Sequence, residues 1–183
     1  ITREWRDKIN ELQTLLPHRI TRPRSDNFGI AIYSKYPLVD GEILRFGGVG
    51  VPGIVAKITV AEREISLVTV HTLPPASKEY LDGRNKQLTE AALFMKDQPA
   101  PKILVGDLNV TMFSGYYKDF VRKSGLTDCR IGFGTLPTWP VDIPAIMIPI
   151  DHCFASKDMK VLDIYRTDPI GSDHLPLVMK FAL

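Results

Sequence analysis

Lys102-Ile103-Leu104-Val105-Gly106-Asp107-Leu108-Asn109 is the stretch on which the fold turns. Residues 102–105 read as a short strand buried on both faces, because the apolar run has no polar alternation. A glycine then breaks the run, and a carboxylate and an amide follow on either side of Leu108. Polar side chains at the end of a buried strand sit on a rigid sheet rim, where layered α/β proteins commonly build sites.

Working towards the N-terminus, residues 80–96 predict a helix with Leu81, Leu88, Ala92 and Met95 on one face. Residues 53–60 and 64–70 predict paired antiparallel strands joined through Ala61-Glu62-Arg63, the second running into His71. Residues 29–34 and 38–46 read as two further strands around Tyr36-Pro37, and residues 47–53 as a glycine-dense turn without the spacing of a phosphate-binding loop. Residues 1–16 predict an amphipathic helix carrying Trp5, Ile9, Leu12 and Leu16, stopped by Pro17. Towards the C-terminus, a helix is expected over 116–124, closed by Gly125, then a Gly- and Pro-rich loop over 132–149. Strands follow over 150–155, 161–166 and 175–181. Strands and helices alternate while several strand pairs are hairpin-like, which implies an α/β fold with mixed sheets and helices outside. No repeat, low-complexity segment or linker interrupts residues 1–183, so one domain is expected.

At 183 residues, 44% hydrophobic and 24% charged, the chain can bury a core without staples. A net charge of +2 does not mark a strong polyanion binder. The one basic run, His18-Arg19-Ile20-Thr21-Arg22-Pro23-Arg24, reads as a solvated loop, with polyanion contact as the alternative. Cys129 and Cys153 lie outside any CxxC or CxxH pattern, which argues against zinc, and Cys153 in an apolar run favours free thiols. No stretch of about 18 apolar residues occurs, so no membrane span is expected in this segment. The chain starts at Ile1 without a signal peptide and reads as a processed or cut segment, whose parent could carry an anchor upstream.

Four polar clusters follow apolar runs: His71; Asp107 with Asn109; Asp151 with His152; and Asp173 with His174. Singly they are ordinary, since a strand-end Asp is more often a turn or cap residue. His152, beside Cys153, reads as a packed or rim residue. Jointly they form a kit. Carboxylates and an amide oxygen are hard ligands suited to Mg²⁺ or Mn²⁺. Histidine exchanges a proton near neutral pH, and a hard cation neutralises charge on a phosphoryl oxygen. The kit describes hydrolysis of a phosphate ester.

The ordered motifs resemble the endonuclease/exonuclease/phosphatase (DNase I-like) superfamily over essentially the whole chain. Gly106-Asp107-Leu108-Asn109 is similar to its GDxN motif, and Gly171-Ser172-Asp173-His174-Leu175-Pro176 to its terminal SDH motif. Ile150-Asp151-His152-Cys153-Phe154-Ala155-Ser156 resembles the IDHxFxS segment, Val70-His71-Thr72 the strand-end histidine, and residues 27–34 the glycine-led strand. The resemblance implies a four-layer α/β/β/α sandwich with two mixed β-sheets. It implies that Asp107 and Asn109 position water and phosphate, and that with Asp173 they bind Mg²⁺ or Mn²⁺. His174 would act as general base or polarise the phosphate, and Asp151 would fix its tautomer. His71 would contact the phosphate or protonate the leaving oxygen. Arg84, in Arg84-Asn85-Lys86-Gln87-Leu88, is expected to make a structural salt bridge to the loops, with substrate contact as the alternative.

One departure matters. The family's principal metal ligand is a glutamate ahead of a stretch like Ile1-Thr2-Arg3-Glu4-Trp5, and Glu4 lies inside the expected helix. The reading is therefore a domain lacking its first strands, with an open sheet edge that could pair as a homodimer. Such a segment is expected to bind Mg²⁺ weakly and turn over slowly; equal turnover by a longer chain would contradict this. The substrate is expected to be nucleic acid or a lipid or inositol phosphate head group. Cleaved plasmid DNA, against released phosphate or phosphocholine, separates these branches. No aromatic-basic stripe argues for single-strand binding. A softer likeness of residues 134–152 to bacterial membrane-anchored members accompanies this, and the compartment stays open. A binding or scaffold domain that retained the fold is the alternative from another class.

Overall fold

The computed structural model describes residues 1–182. Helix α1 (Arg3–Ile9) passes through a 3-10 turn (Asn10–Thr14) into strands β1 (His18–Arg22), β2 (Ile30–Ser34), β3 (Leu38–Leu44), β4 (Gly53–Val60) and β5 (Arg63–Thr69). Helix α2 (Lys78–Asp97) crosses to β6 (Lys102–Asp107), and α3 (Gly115–Ser124) leads to the two-residue β7 (Thr127–Asp128). Strands β8 (Asp151–Ala155), β9 (Lys160–Arg166) and β10 (Leu177–Ala182) follow.

Six strands form the central sheet in the order β3-β4-β5-β6-β8-β7. Only β5 and β6 run parallel, because α2 supplies the crossover a parallel pair requires. The apolar alternation sorts the two faces. Val68, Val70, Leu104 and Phe154 point to α2 and α3, meeting Leu88, Ala92, Met95 and Phe120. Ile65, Ile103, Val105, Cys153 and Ala155 point the other way, onto Ile164, Leu177 and Met179 of β9 and β10. Strand β6 is thus covered on both faces, as its apolar run predicts.

The α/β architecture with a mixed central sheet is present. Mixed pairing is confined to that sheet; where the resemblance implies a second mixed sheet, the structure has two antiparallel pairs, β1–β2 and β9–β10. Direct connections without a crossover helix permit only antiparallel pairing. Strand β1 corrects the loop expected at residues 18–24. Its half-buried Ile20 lies against Gly41 of β3, while Arg24 beyond it is neutralised by Asp26 at 2.6 Å. The first helix is shorter than the periodicity predicts, and Trp5 and Leu12 are exposed. The edge strand β3 carries a bulge with Asp40 and Glu42, features that discourage pairing with another sheet. Both cysteines are buried free thiols. Among the described residues, no helix is long and apolar enough to cross a membrane.

Candidate active site

Strands β5 and β6 end at one rim of the central sheet, and antiparallel β8 begins there. Register places Asp107 directly opposite Asp151, and His71 follows the end of β5. The turn before β10 brings Asp173 and His174 to the same rim. Gly106 shows why the motif needs glycine: a Cβ there would stand 1.8 Å from the Val70 carbonyl oxygen.

His174 Nδ1 lies 2.7 Å from Asp151 Oδ2. His71 Nε2 lies 3.5 Å from Asp107 Oδ2. The Asn109 backbone N–H donates to Asp107 Oδ1 at 2.8 Å, closing a tight turn. Asn109 adopts a left-handed φ of 46°, which Asn tolerates better than most residues. Its side-chain amide donates to the Thr72 carbonyl at 2.8 Å. Asp173 accepts from Trp139 Nε1 at 3.3 Å. All five expected catalytic positions therefore sit at one rim, tied in two pairs and one turn.

The electrostatics follow from burial and crowding. Burial, then the Asp151 charge, pushes Asp107 up to about 7. Burial also opposes ionisation of Asp151, but the His174 hydrogen bond and charge outweigh it and hold Asp151 below the usual range. Burial disfavours charged His174, yet Asp151 with Asp107 and Asp173 holds its pKa above the ordinary value. His71 is pushed down to about 4, first by burial and then by the charge of His174.

Asp107 stands opposite Asp151 in the sheet, and the Asp151 charge raises the cost of ionising it. The Asn109 amide nitrogen is engaged, and among the described residues no donor reaches its Oδ1. The set fits a hard cation completed by water and substrate oxygens, the usual habit of Mg²⁺. It is not a closed cage: among the described residues, no group of three His, Cys, Asp or Glu is arranged to hold a metal ion.

Three supporting residues carried weak sequence signals or none. Arg84 donates to the Asn109 carbonyl at 2.7 Å and lies over the Tyr116 ring, so it braces the turn through a carbonyl and not through the expected salt bridge. Arg130 is buried beneath Asp151, donating to its backbone carbonyl and, at 2.8 Å, to His152 Nδ1. Trp139 lines the mouth, its ring 6.3 Å from that of His174. In the glycine-dense turn, the Gly47 N–H donates to Glu90 at 2.6 Å.

His152 is a packed residue, as read from its neighbours. Arg130 occupies Nδ1 as donor, so the proton sits on Nε2, which donates to the Val110 carbonyl at 2.7 Å. Burial, then the Arg130 charge, lowers its pKa from 6.5 to about 4. The hydrogen bond to the Val110 carbonyl, then Asp128 and Asp151, oppose that shift without cancelling it. In this window the unfolded chain takes up a proton that the folded chain refuses. The contribution of this ring to the unfolding free energy should therefore fall as pH drops, by about 3 kcal/mol. His71 adds a slope of the same sign. Asp107, held up to about 7, contributes a slope of opposite sign, so the difference between wild type and a His152 variant isolates the ring. Urea unfolding from pH 7 to 4 checks this; a slope unchanged in His152→Gln would contradict the assignment.

A profile described as the Endonuclease/Exonuclease/phosphatase family matches residues 1–174. The chain belongs to the endonuclease/exonuclease/phosphatase family. No curated protein sequence matches it. Among solved structures, D. rerio TDP2 complexed with a single-strand DNA product aligns with a TM-score of 0.82 at 16% identity, over 100% of this chain and 83% of that one. The mannosyl-6-phosphatase of Bacteroides thetaiotaomicron aligns at 0.71 and 18% identity, over 97% and 82%. Sphingomyelinase C from Streptomyces griseocarneus aligns at 0.68 and 16% identity, over 97% and 82%. At these identities the likeness carries the DNase I-like fold of this family member. The neighbours span several substrates on one frame, so substrate must be argued from the site.

Proposed function

We infer that this family member hydrolyses phosphodiester or phosphomonoester bonds with an activated water, using Mg²⁺ or Mn²⁺. The observation that carries the reading is the His174–Asp151 pair at 2.7 Å on the rim that also holds Asp107 and Asn109. Asp151 accepts from Nδ1 and leaves Nε2 facing the reactants, to take a proton from water or to bind the phosphoryl oxygen. Asp107 and Asn109 position water and phosphate, and His71 contacts the phosphate or protonates the leaving oxygen. Asp107, Asn109 and Asp173 would hold the cation, which when bound neutralises charge on the phosphoryl group. Family membership supports phosphoester chemistry, and the TDP2 complex with single-strand DNA makes nucleic acid one candidate substrate. The sphingomyelinase and phosphatase neighbours make lipid and sugar phosphates others.

The open donor set favours a second reading as well, a domain that binds phosphoesters but cleaves them poorly. Hydrolysis of bis(p-nitrophenyl) phosphate separates the two. Turnover should require Mg²⁺ or Mn²⁺, stop on chelation and return when metal is restored. A folded protein with no turnover in either metal would replace the enzymatic reading with the binding one. Turnover indifferent to chelation would remove the metal from it.

A further inference from the structure

We propose that Cys129 and Cys153 are a dithiol–disulfide couple, whose bridge staples the end of β7 to β8 beneath the candidate active site. The couple is a property of the sheet and stands whether or not the site cleaves phosphoesters.

The chain has two cysteines, and the fold brings them together across a sequence separation of 24. Strand register does this. β7 pairs antiparallel with β8, with Thr127 opposite Ala155 and Asp128 opposite Phe154. The next step along that ladder sets Cys129 opposite Cys153, and the Cys129 N–H donates to the Cys153 carbonyl at 3.0 Å. Directly opposed, hydrogen-bonded residues of an antiparallel pair have Cα atoms about 5.5 Å apart, inside the range that a disulfide spans. Both side chains enter the core that holds Ile65, Met159 and Ile164, and their sulfurs stand 3.2 Å apart. A single buried cysteine serves as a small apolar side chain. Two at facing positions, sulfur against sulfur, are placed to bond.

The oxidant is a low-molecular-weight disulfide. One cysteine thiolate attacks a sulfur of that disulfide, forming a mixed disulfide and releasing one small thiolate. The second cysteine thiolate attacks the protein sulfur of the mixed disulfide, forming the Sγ–Sγ bond and releasing the other small thiolate. Two protein thiols are oxidised, one small disulfide is reduced to two thiols, and the two cysteine protons pass to those thiols. Contact with Cys129, then burial, pushes the Cys153 thiol up, so exchange is slow while the core is closed. It proceeds when β7 opens, and β7 is a two-residue strand at one edge of the sheet.

The bridge closes a loop that carries Arg130, Trp139 and Asp151. Arg130, next to Cys129, holds the Asp151 carbonyl, so tying its neighbour to β8 keeps the arginine in place when β7 would fray. Loop closure also restricts the unfolded chain, which favours the folded one.

Incubation with oxidised glutathione in urea just below the unfolding transition, followed by dilution, tests the couple without any turnover. The wild-type protein should lose two hydrogens in mass and both of its maleimide-reactive thiols. Trypsin should then release residues 124–130 joined to residues 131–157, a pair that dithiothreitol separates. The urea midpoint of the bridged protein should stand about 1 M above that of the reduced protein, and dithiothreitol should abolish the difference. Cys129→Ala and Cys153→Ala should show no oxidation-dependent difference; where a variant fails to fold, oxidised against reduced wild type carries the same comparison. Thiols that stay free or capped by glutathione, or a bridge formed only between chains, would overturn the couple. A joined peptide pair with an unchanged or lower midpoint would overturn the staple.

Discussion

Asp151→Asn should lower kcat for phosphodiester hydrolysis by about 10³- to 10⁴-fold, the scale on which loss of the carboxylate orienting a catalytic histidine acts. Asp151 Oδ2 lies 2.7 Å from His174 Nδ1. A carboxylate accepts from Nδ1–H only, so it fixes both the ring plane and the tautomer. An amide of the same shape can donate an N–H to Nδ1 instead, which would put the ring proton on Nε2 and leave no lone pair there to take a proton. The backbone should be undisturbed, because Arg130 reaches the Asp151 carbonyl and not its side chain. The thermal midpoint should therefore move little, and KM less than kcat. His174→Ala should cost at least as much, and the double variant little more than either single one, because groups that act as a unit lose their effect together. Activity of Asp151→Asn within tenfold of wild type, or additive losses in the double variant, would end the assignment of this pair.

That pair is legible in the amino-acid sequence because of β6. A strand covered on both faces leaves a continuous apolar run, and the first polar residues after it must lie on the rim. The same logic marks His71 after β5 and Asp151 at the start of β8, and strand register then explains why Asp107 faces Asp151. Features that depend on partners distant in sequence are not legible in this way. Strand β1 is half charged, and only its ladder with β2 makes His18–Arg22 extended. The apolar spacing of Trp5, Ile9, Leu12 and Leu16 predicts a helix packed along its length, yet α1 buries no residue. Arg84 carries a motif signal but no hint that its partner is the Asn109 carbonyl. Arg130 carries none: a lone arginine after a turn gives no sign that it is buried beneath a reactive carboxylate.

Arg130 is also where the largest stability effect is expected. It is 2% exposed, with Nη1 on His152 Nδ1 and Nη2 on the Asp151 carbonyl, and it faces no carboxylate at hydrogen-bond distance among the described residues. Burial depresses its pKa, with Asp128 opposing that shift. Arg130→Ala removes both donors, leaves two buried acceptors unpaired and opens a void beneath Asp151. Unpaired buried acceptors cost about 1–3 kcal/mol each, so a total near 4 kcal/mol is expected, read as a lower urea midpoint. Arg130→Met refills the volume without the donors and should recover only the cavity part of that loss. Full recovery would show that the guanidinium serves packing alone. The functional readout is separate from stability. With the donor to its carbonyl gone, Asp151 is free to drift from His174, so the methionine variant at a temperature where it is folded should lose kcat while KM holds. A methionine variant with unchanged kcat would confine Arg130 to the core and leave Asp151 to be positioned by β8 alone.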